Sequence, residues 1–229
     1  MLNSYNFNQM AKFSVIITAG GIGKRMSSSL PKQFMLVKEK PILMHTIERF
    51  YNFNASFQLI LTLPQDWKQH WEELRVEHDF KIPHRIVSGG EQRYHSIKNA
   101  LDYCLGDYVL VHDGVRPMVS DETLSNCLEQ SKKKDAVIPV VPILESLRKK
   151  TGAHTEIVDR SKYLLVQTPQ VFKREVLEQA YKQPFHFGIT DDAGLVEHAG
   201  FEISTVKGNV ENIKITSQDD LKYAELYFK

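Results

Sequence analysis

A glycine-rich turn follows the first apolar run of the sequence, Phe13 to Thr18. The turn contains Ala19, Gly20, Gly21 and Gly23. Glycines placed directly after a strand let the backbone approach a phosphate group, because no side chain intervenes and the free N–H groups point at the ligand. This position therefore favours phosphate binding.

Three cations lie close behind this turn, at Lys24, Arg25 and Lys32. Together they suit a triphosphate. The spacing excludes a P-loop, which would need glycine at Thr18 and Ser or Thr at Arg25. It also excludes the dinucleotide fingerprint, because Met26 stands where that motif has its third glycine. A tight turn with solvated basic residues is the alternative interpretation.

A carboxylate and an arginine follow a second apolar run, Tyr108 to Val111. Asp113 stands at the carboxyl end of this predicted strand, where open α/β sheets bind their ligands. Because Mg²⁺ accepts one or two carboxylates together with substrate phosphate oxygens, Asp113 suits a magnesium ligand. Arg116 precedes Pro117, is biased toward an extended backbone and carries a planar fork of five donors. The alternative for Asp113 is a turn-forming residue before Gly114.

Lys214 lies between Ile213 and Ile215, so its side chain faces away from both isoleucines and could line a cleft. An edge-strand lysine that deters aggregation is the alternative. The nine histidines form no metal-binding pair with a neighbouring acid, and neither a Ser-His-Asp signature nor Gly-x-Ser-x-Gly is present. These patterns argue against zinc and hydrolase chemistry.

The elements that must position these residues predict an α/β fold. Short apolar runs alternate with segments of helical period, as expected for parallel strands joined by crossover helices. We expect a Rossmann-like open, mostly parallel twisted sheet with helices on both faces. The predicted strands are Phe13 to Thr18, Phe57 to Leu63, Tyr108 to His112, Ala136 to Val141 and, more weakly, Glu202 to Val206. The predicted helices are Ile42 to Phe50, Trp67 to Leu74, Tyr94 to Leu105, Glu122 to Ser131, Arg174 to Tyr181, Ala193 to His198 and Gln218 to Tyr227.

The segment from Pro142 to Gln167 breaks this alternation. It contains short polar pieces, Ser146 to Lys150 and Thr155 to Asp159, around the turn signal Thr151-Gly152. We expect a single domain over residues 1–229, with residues 142–167 forming a protruding β-arm. An isolated hairpin is marginal in water, so the arm must lean on another surface.

Composition excludes several classes of protein. The chain has 29 Lys plus Arg against 28 Asp plus Glu, so no global field favours nucleic acid or an acidic membrane. The first apolar run is far shorter than the roughly 20 residues needed to span a bilayer, and the start lacks signal-peptide features. Two cysteines are too few for a disulfide framework, and both lie in predicted helical segments. We therefore expect a cytoplasmic protein.

The glycine-rich segment, followed by Pro31-Lys32-Gln33, resembles the opening motif of the cytidylyltransferases of the methylerythritol 4-phosphate route to isoprenoids. It is similar also to the sister family acting on ribitol 5-phosphate. Further matching segments occur in the same order, so that the resemblance covers Val15 to Tyr227. These segments are Gly89 to Arg93 with Ser96, Val111 to Pro117, Val158 to Arg160, Thr168 to Gln170, Ile189 to Ala193 and Glu211 to Lys214.

The resemblance implies a Mg²⁺-dependent nucleotidyltransferase that joins CTP to 2-C-methyl-D-erythritol 4-phosphate and releases pyrophosphate. The catalytic residues it implies are Arg25, Lys32 and Lys214. The CTP-binding residues it implies are Ala19, Gly20, Gly21, Gly23, Gly90, Glu91, Ser96, Asp113 and Gly114, with Asp113 also holding the metal. The acceptor-binding residues it implies are Arg116, Ser146, Arg160 and Thr168. Glu91 and Ser146 depart from the family, which usually has Asp and often has Thr there.

The resemblance also implies a homodimer in which the arm meets the matching arm of a second subunit. Ribitol 5-phosphate remains an alternative acceptor, because the segment from Asp113 to Arg116 leans toward the ribitol family. The segments around Asp159 and Asp191 lean toward the methylerythritol family. A nucleotide-binding module without turnover is an alternative of another class, against which Lys32 and Lys214 argue. A glycosyltransferase is a weaker alternative, because it would need a paired-acid metal motif after a central strand, and only Asp113 stands there.

Overall fold

The computed structural model describes residues 12–20, 30–185 and 188–228. Its strands are β1 (Phe13–Thr18), β2 (Leu36–Val37), β3 (Lys40–Pro41), β4 (Gln58–Leu63), β5 (Arg85–Ser88), β6 (Tyr108–Asp113), β7 (Ala136–Pro142), β8 (Leu147–Thr151), β9 (His154–Val158), β10 (Leu164–Val166), β11 (Gln170–Lys173) and β12 (Ser204–Lys207). Its α-helices are α1 (Ile42–Phe53), α2 (Lys68–Glu77), α3 (Arg93–Leu101), α4 (Asp121–Ser131), α5 (Arg174–Ala180), α6 (Asp192–His198) and α7 (Gln218–Tyr227).

The main sheet has β1 near its centre, parallel to β4 on one side and β6 on the other. Within the described ranges its order is β10, β7, β11, β6, β1, β4, β5, with β12 paired in parallel to β7. β11 runs antiparallel to both β6 and β7, so the sheet is mixed although mostly parallel. The parallel arrangement brings the carboxyl ends of β1, β4 and β6 to one edge.

Helices cover both faces of this sheet because successive strand residues point to opposite sides. On one face, Val15 and Ile17 of β1 pack in a core cluster with side chains of α1, α2 and α4. On the other face, Ile16 packs in a cluster with side chains of α3, α5 and α6. All three β1 residues are fully or almost fully buried. This two-sided burial explains why the strand is a continuous apolar run.

The α/β class and the mostly parallel sheet are confirmed, while several local predictions need correction. The sequence indicated neither β5 nor β11, which are four residues long and lack a continuous apolar run. Cys104 lies beyond the end of α3 at Leu101 rather than in a helix, whereas Cys127 is within α4. Both thiols are free and buried.

The segment predicted as an arm contains the antiparallel pair β8 and β9, joined around Gly152. The strand residues are exposed or partly exposed, and Ile157 keeps 85% of its surface accessible. Arg148 on β8 donates hydrogen bonds to the Thr155 side chain and backbone on β9. None of the helices in the described ranges is long and apolar enough to cross a membrane.

Candidate active site

A cleft opens at the carboxyl ends of β1 and β6, the edge at which the sequence predicted a ligand. Its walls come from the end of β1, the turn before α3, the end of β6 and the segment before α7. The described residues that line it are Thr18, Ala19, Gly20, Lys32, Gln33, Gly90, Glu91, Gln92, Arg93, Ser96, Asp113, Val115 and Lys214. The cleft thus contains predicted residues for the phosphates, the base and catalysis.

The glycine-turn side of the cleft is held by Gln33. This side chain is buried, and its Nε2 donates a hydrogen bond of 2.8 Å to the Ala19 carbonyl. Gln33 belongs to the short 3-10 helix Lys32–Phe34, so the bond fixes the neighbouring Lys32 against the end of β1. Sequence reasoning gave Gln33 no role of its own. The predicted residues Gly21, Gly23 and Arg25 lie outside the described residues.

Ser96 organises the turn that precedes α3. Its hydroxyl accepts a hydrogen bond from the Gly90 N–H at 3.0 Å and donates one to the Gln92 carbonyl. A Cβ atom at Gly90 would come within 2.3 Å of His95 Cβ, so the turn has no room for a side chain there. Gly20 also lies beside Ser96, since a Cβ on it would be 3.3 Å from the hydroxyl oxygen. Ser96 therefore lies between the two glycine turns of the cleft, bonded to Gly90 and next to Gly20.

Asp113 is the centre of a cluster of three cations. Its Oδ2 lies 3.1 Å from Lys214 Nζ and accepts a hydrogen bond of 3.1 Å from Arg116 Nε. Its Oδ1 lies 3.7 Å from Arg93 Nε. Burial alone would raise the pKa of Asp113, but the charges of Arg93, Lys214 and Arg116 outweigh it and hold that pKa well below its ordinary value. The carboxylate is therefore ionised.

Arg93 also pairs with a second carboxylate, Asp192, to which the sequence had given no role. Its Nη2 donates a hydrogen bond of 2.6 Å to Asp192 Oδ2, and Tyr181 donates one of 2.5 Å to the other oxygen, Oδ1. The Asp192 side chain is only 1% exposed. Burial would lower the pKa of Arg93, but Asp192 and Asp113 raise it, so the guanidinium stays charged.

Thr168 supports the backbone beneath Asp113. Its Oγ1 accepts the Asp113 N–H at 3.2 Å and lies 2.9 Å from His112 Nδ1. His112 Nε2 lies 2.9 Å from the Arg116 carbonyl, which can only accept, so Nε2 carries the proton and Nδ1 accepts from Thr168. Burial lowers the pKa of His112 to about 4, which agrees with a neutral ring. Thr168 and His112 together fix the turn from Asp113 to Arg116.

A third apolar cluster positions Lys214 from outside the main sheet. Ile215 is fully buried there with Val115, Leu221 and Ala224, and Ile213 packs against the same cluster. Residues 213–215 do not pair as a strand, but the alternation holds as the sequence predicted, because both isoleucines face the cluster while Lys214 faces Asp113. Helix α7 therefore supports the segment that carries Lys214.

Arg116 is anchored by the same segment. Its Nη1 donates a hydrogen bond of 2.8 Å to the Asn212 carbonyl, while Asn212 Nδ2 donates one of 2.8 Å to the Thr168 carbonyl. Asn212 is fully buried and was missed as a positioning residue. A polar side chain next to a predicted cleft lysine is the signal that could have drawn attention to it.

Ser146 and Arg160 lie apart from these residues, at the base of the arm. Ser146 precedes β8, and Arg160 begins the 3-10 helix Arg160–Lys162 after β9. Both are exposed, and an Arg160 guanidinium nitrogen donates a short hydrogen bond to the Leu144 carbonyl. Neither belongs to the described lining of the cleft. Arg116 and Thr168 are not lining residues either, but both bond to Asp113. Within one chain, the predicted acceptor-binding residues are thus divided between the surroundings of Asp113 and the arm.

The cleft can accept a single divalent cation only with help from a ligand. In the described ranges, no three His, Cys, Asp or Glu side chains lie together as a metal-binding group. Mg²⁺ needs no such cage when phosphate oxygens and waters complete its shell. Asp113 Oδ1, whose contact with Arg93 is the longer one, is the oxygen better placed to serve as its protein ligand. The donor set therefore fits a magnesium ion shared with a phosphate.

Comparison with known proteins agrees with this geometry. A family model described as 2-C-methyl-D-erythritol 4-phosphate cytidylyltransferase matches residues 13–229. Curated proteins with the same description include one from Bacteroides thetaiotaomicron, 50% identical over 212 residues, covering 92% of this chain and 97% of the relative. Another from Phocaeicola vulgatus is 48% identical over 213 residues, with 93% and 97% covered.

Solved structures are similar across the same length. A 4-diphosphocytidyl-2C-methyl-D-erythritol synthase from Anaerococcus prevotii superposes with a TM-score of 0.80 at 25% identity, covering 94% of this chain and 97% of the other. A 2-C-methyl-D-erythritol 4-phosphate cytidylyltransferase from Thermus thermophilus superposes with a TM-score of 0.77 at 29% identity, covering 93% and 97%.

Proposed function

The chain belongs to the 2-C-methyl-D-erythritol 4-phosphate cytidylyltransferase family, and we propose that the Asp113 cleft is where it performs this reaction. It is a nucleotidyltransferase that transfers CMP from CTP to 2-C-methyl-D-erythritol 4-phosphate and releases pyrophosphate. The observation that carries the assignment of the site is the convergence of Lys32, Lys214 and Asp113 with the Gly90 turn on one cleft.

The chemistry requires positioning and charge neutralisation. The nucleophile is a phosphate oxygen of the acceptor, already anionic near pH 7, so neither a covalent enzyme intermediate nor a strong general base is needed. Two anions must approach each other at the α-phosphorus of CTP. Lys32 and Lys214, which both line the cleft, stabilise the charge that develops in the in-line transition state. We assign Arg25 to the same task from the family resemblance.

The turn at Gly90 and Ser96 binds the cytosine. Gly90 leaves backbone groups accessible, and Ser96 fixes that turn through its hydrogen bond to the Gly90 N–H. Fixed donors and acceptors can match one pyrimidine edge and leave buried groups unpaired with the other. Glu91 is exposed at the same rim and completes this wall.

The triphosphate lies between the glycine turn and Asp113. Ala19 and Gly20 line the cleft. Gly114 is not a lining residue but bonds the Thr18 carbonyl at 2.9 Å, and we assign it, like Gly21 and Gly23, by resemblance. Asp113 would hold Mg²⁺ together with phosphate oxygens, and the ion would supply positive charge to neutralise part of theirs. Lys214 and Arg116, which pair with Asp113 here, are then close enough to exchange that carboxylate for phosphate oxygens.

We assign the acceptor phosphate to Arg116, beside Asp113, and to Ser146 and Arg160 on the arm. Thr168, predicted for the same task, is buried and its hydroxyl already bonds Asp113 and His112, so it serves by holding the turn that carries Arg116. A homodimer brings the two groups together if each arm reaches toward its partner's cleft. The exposed apolar side chains of the arm and of β10 support an interface here, since such a patch is unusual on a monomer. These side chains are Leu144, Ile157, Tyr163, Leu164, Leu165 and Val166.

We assign the reaction to the cytoplasm on the state of the cysteines. Cys104 and Cys127 are unpaired, and burial raises the pKa of each thiol to about 12, as for structural cysteines in a reducing compartment. CTP and the polyol phosphate are the partners that the cleft requires, together with the second subunit.

A pyrophosphate-release assay with each acceptor tests the proposed function. We expect turnover with CTP and 2-C-methyl-D-erythritol 4-phosphate, and much lower kcat/KM with D-ribitol 5-phosphate. Asp113→Asn should abolish most of the activity, whereas Asp121→Asn, on the surface at the start of α4, should not. Equal turnover by wild type and Asp113→Asn would exclude this cleft as the site.

A further inference from the structure

Arg93 differs from the two other cations around Asp113 in how it is held. Lys214 is a flexible side chain, 41% exposed, and Arg116 is otherwise bound to a backbone carbonyl. Arg93 alone among these three is paired with a second carboxylate, Asp192, at 2.6 Å. Because Asp192 is almost completely buried, releasing Arg93 would leave an unpaired charge in the interior, which is strongly unfavourable.

This arrangement matters when substrates enter the cleft. The proposed function requires Lys214 and Arg116 to turn from Asp113 toward phosphate oxygens. Asp113 must meanwhile stay ionised and keep its orientation. Asp192, itself bonded by Tyr181, holds the guanidinium of Arg93 where its Nε lies 3.7 Å from Asp113 Oδ1, and one planar fork can serve both carboxylates.

We propose that Arg93 is a positioning residue, the fixed counter-ion of Asp113, and that Asp192 acts in catalysis solely by anchoring it. The inference rests on the proposed function, because it concerns the carboxylate assigned to the triphosphate and its metal. It links the start of α3 to the start of α6, two segments that sequence motifs marked without giving these side chains a role.

The test separates a positioning role from a structural one by measuring kcat and the thermal midpoint Tm in the same variants of the full chain. Arg93→Ala leaves Asp192 buried without its cation, so we expect Tm to fall by about 5 °C or more. We also expect kcat to fall by about 10- to 100-fold, the usual effect of losing a side chain that orients a ligand-binding group. The double variant Arg93→Ala/Asp192→Asn removes the buried charge and should recover most of the Tm.

The decisive readout is kcat in the double variant. If Arg93 positions Asp113, kcat stays as low as in Arg93→Ala although stability has returned, and the two substitutions are non-additive in kcat. Recovery of kcat together with Tm would overturn the proposal. So would a kcat for Arg93→Ala within a factor of about two of the wild type.

Two further variants keep the outcome interpretable. Arg93→Lys retains the charge and should fold, but a point charge cannot engage both carboxylates, so kcat should remain reduced.

Asp191→Asn is the control variant. It removes a charge from the same helix start without touching Arg93, since Asp191 contacts Gln170 and Gly194, and it should retain nearly wild-type kcat. Loss of activity in Asp191→Asn equal to that in Arg93→Ala would contradict the proposal. If Lys214→Ala is also fully active, the proposed function itself fails; if only the Arg93 series is active, this inference alone fails.

Discussion

Lys214 Nζ lies 3.1 Å from Asp113 Oδ2, so the proposed transition-state cation and the proposed metal ligand are direct neighbours. Asp113 comes from the end of β6, and Lys214 comes from the segment that α7 supports. The carboxylate and the ammonium neutralise each other at the edge of the sheet. A phosphate that binds Lys214 must therefore compete with Asp113 for it.

Nucleotide choice is the first consequence of the fixed turn at Gly90. We expect CTP to be preferred over UTP by about 100-fold or more in kcat/KM, because the edges of the two bases present opposite donors and acceptors at two positions. Pyrophosphate release measured with each nucleotide at equal concentration checks this expectation. Equal rates would show that the turn does not read the base.

Ser96 should matter for CTP more than for the acceptor. Ser96→Ala removes the hydroxyl that accepts the Gly90 N–H, so the turn loses its fixed geometry. We expect KM for CTP to rise by roughly 10-fold, as for a lost hydrogen bond of about 1 to 1.5 kcal/mol, with little change in KM for the acceptor. Ser131→Ala is the matched control, because this buried serine bonds the Leu128 carbonyl at the end of α4. A similar rise in both variants would argue against a specific role for Ser96.

His84 should make stability depend on pH. Its Nε2 accepts the Trp71 indole N–H at 3.0 Å, and its Nδ1 lies 2.8 Å from the Ile82 carbonyl, so the ring is neutral in the folded state. Burial lowers the pKa of His84 below 6.5, and the unfolded chain therefore takes up a proton first as pH falls. The stabilisation is fully present above about pH 6.5 and is lost below it.

Urea unfolding at several pH values between about 7.5 and 5 measures this effect. We expect the free energy of unfolding to fall toward the acid end of the range. His84→Gln should give a flatter profile, and also lower stability at pH 7.5 by about 1 kcal/mol if the indole bond is lost. Identical slopes in the two proteins would assign the pH dependence to other groups.

We expect each active site to be shared between two subunits, with the arm of one completing the cleft of the other. Lys32→Ala subunits lack a cleft cation, and Arg160→Ala subunits lack an arm cation, so a heterodimer of the two retains one complete site if the arm serves its partner. At an acceptor concentration well below its KM in Arg160→Ala, where both variants are nearly inactive, we expect mixing to restore activity to roughly a quarter of the wild-type level, because half of the dimers are mixed and each has one complete site. Arg160→Ala alone should act mainly on KM for the polyol phosphate.

Light scattering at assay concentration checks the oligomeric state in the same samples. A fully active monomer would rule out the dimer. A dimer without complementation would place each acceptor site within one chain.

The sequence predicted the parts of the site that lie in local motifs. Asp113 follows an apolar run, and Lys214 alternates with isoleucines, so both could be placed without the structure. The Arg93–Asp192 pair could not, because its members are 99 positions apart and each motif reads as an ordinary helix start. Long-range ion pairs leave no local pattern.

The main sheet also contains a strand that no local sequence pattern could reveal. β11 lies between β6 and β7 in antiparallel orientation, yet its four residues include Gln170 and Lys173 and give no apolar run. Its position depends on pairing with both neighbours, and a short segment cannot reveal that. The helices were easier to predict, since their apolar period extends over about two turns or more.

The most direct measurement of the central claim is kcat of Lys214→Ala with CTP and 2-C-methyl-D-erythritol 4-phosphate, alongside its CTP dissociation constant. We expect kcat to fall by roughly 100-fold or more, with the dissociation constant changed far less, as for a group that acts on transition-state charge. Lys32→Ala should behave alike, and Lys222→Ala, paired with Asp219 on the surface of α7, should not. A kcat for Lys214→Ala within a factor of about two of the wild type would contradict the assignment of this cleft as the catalytic site.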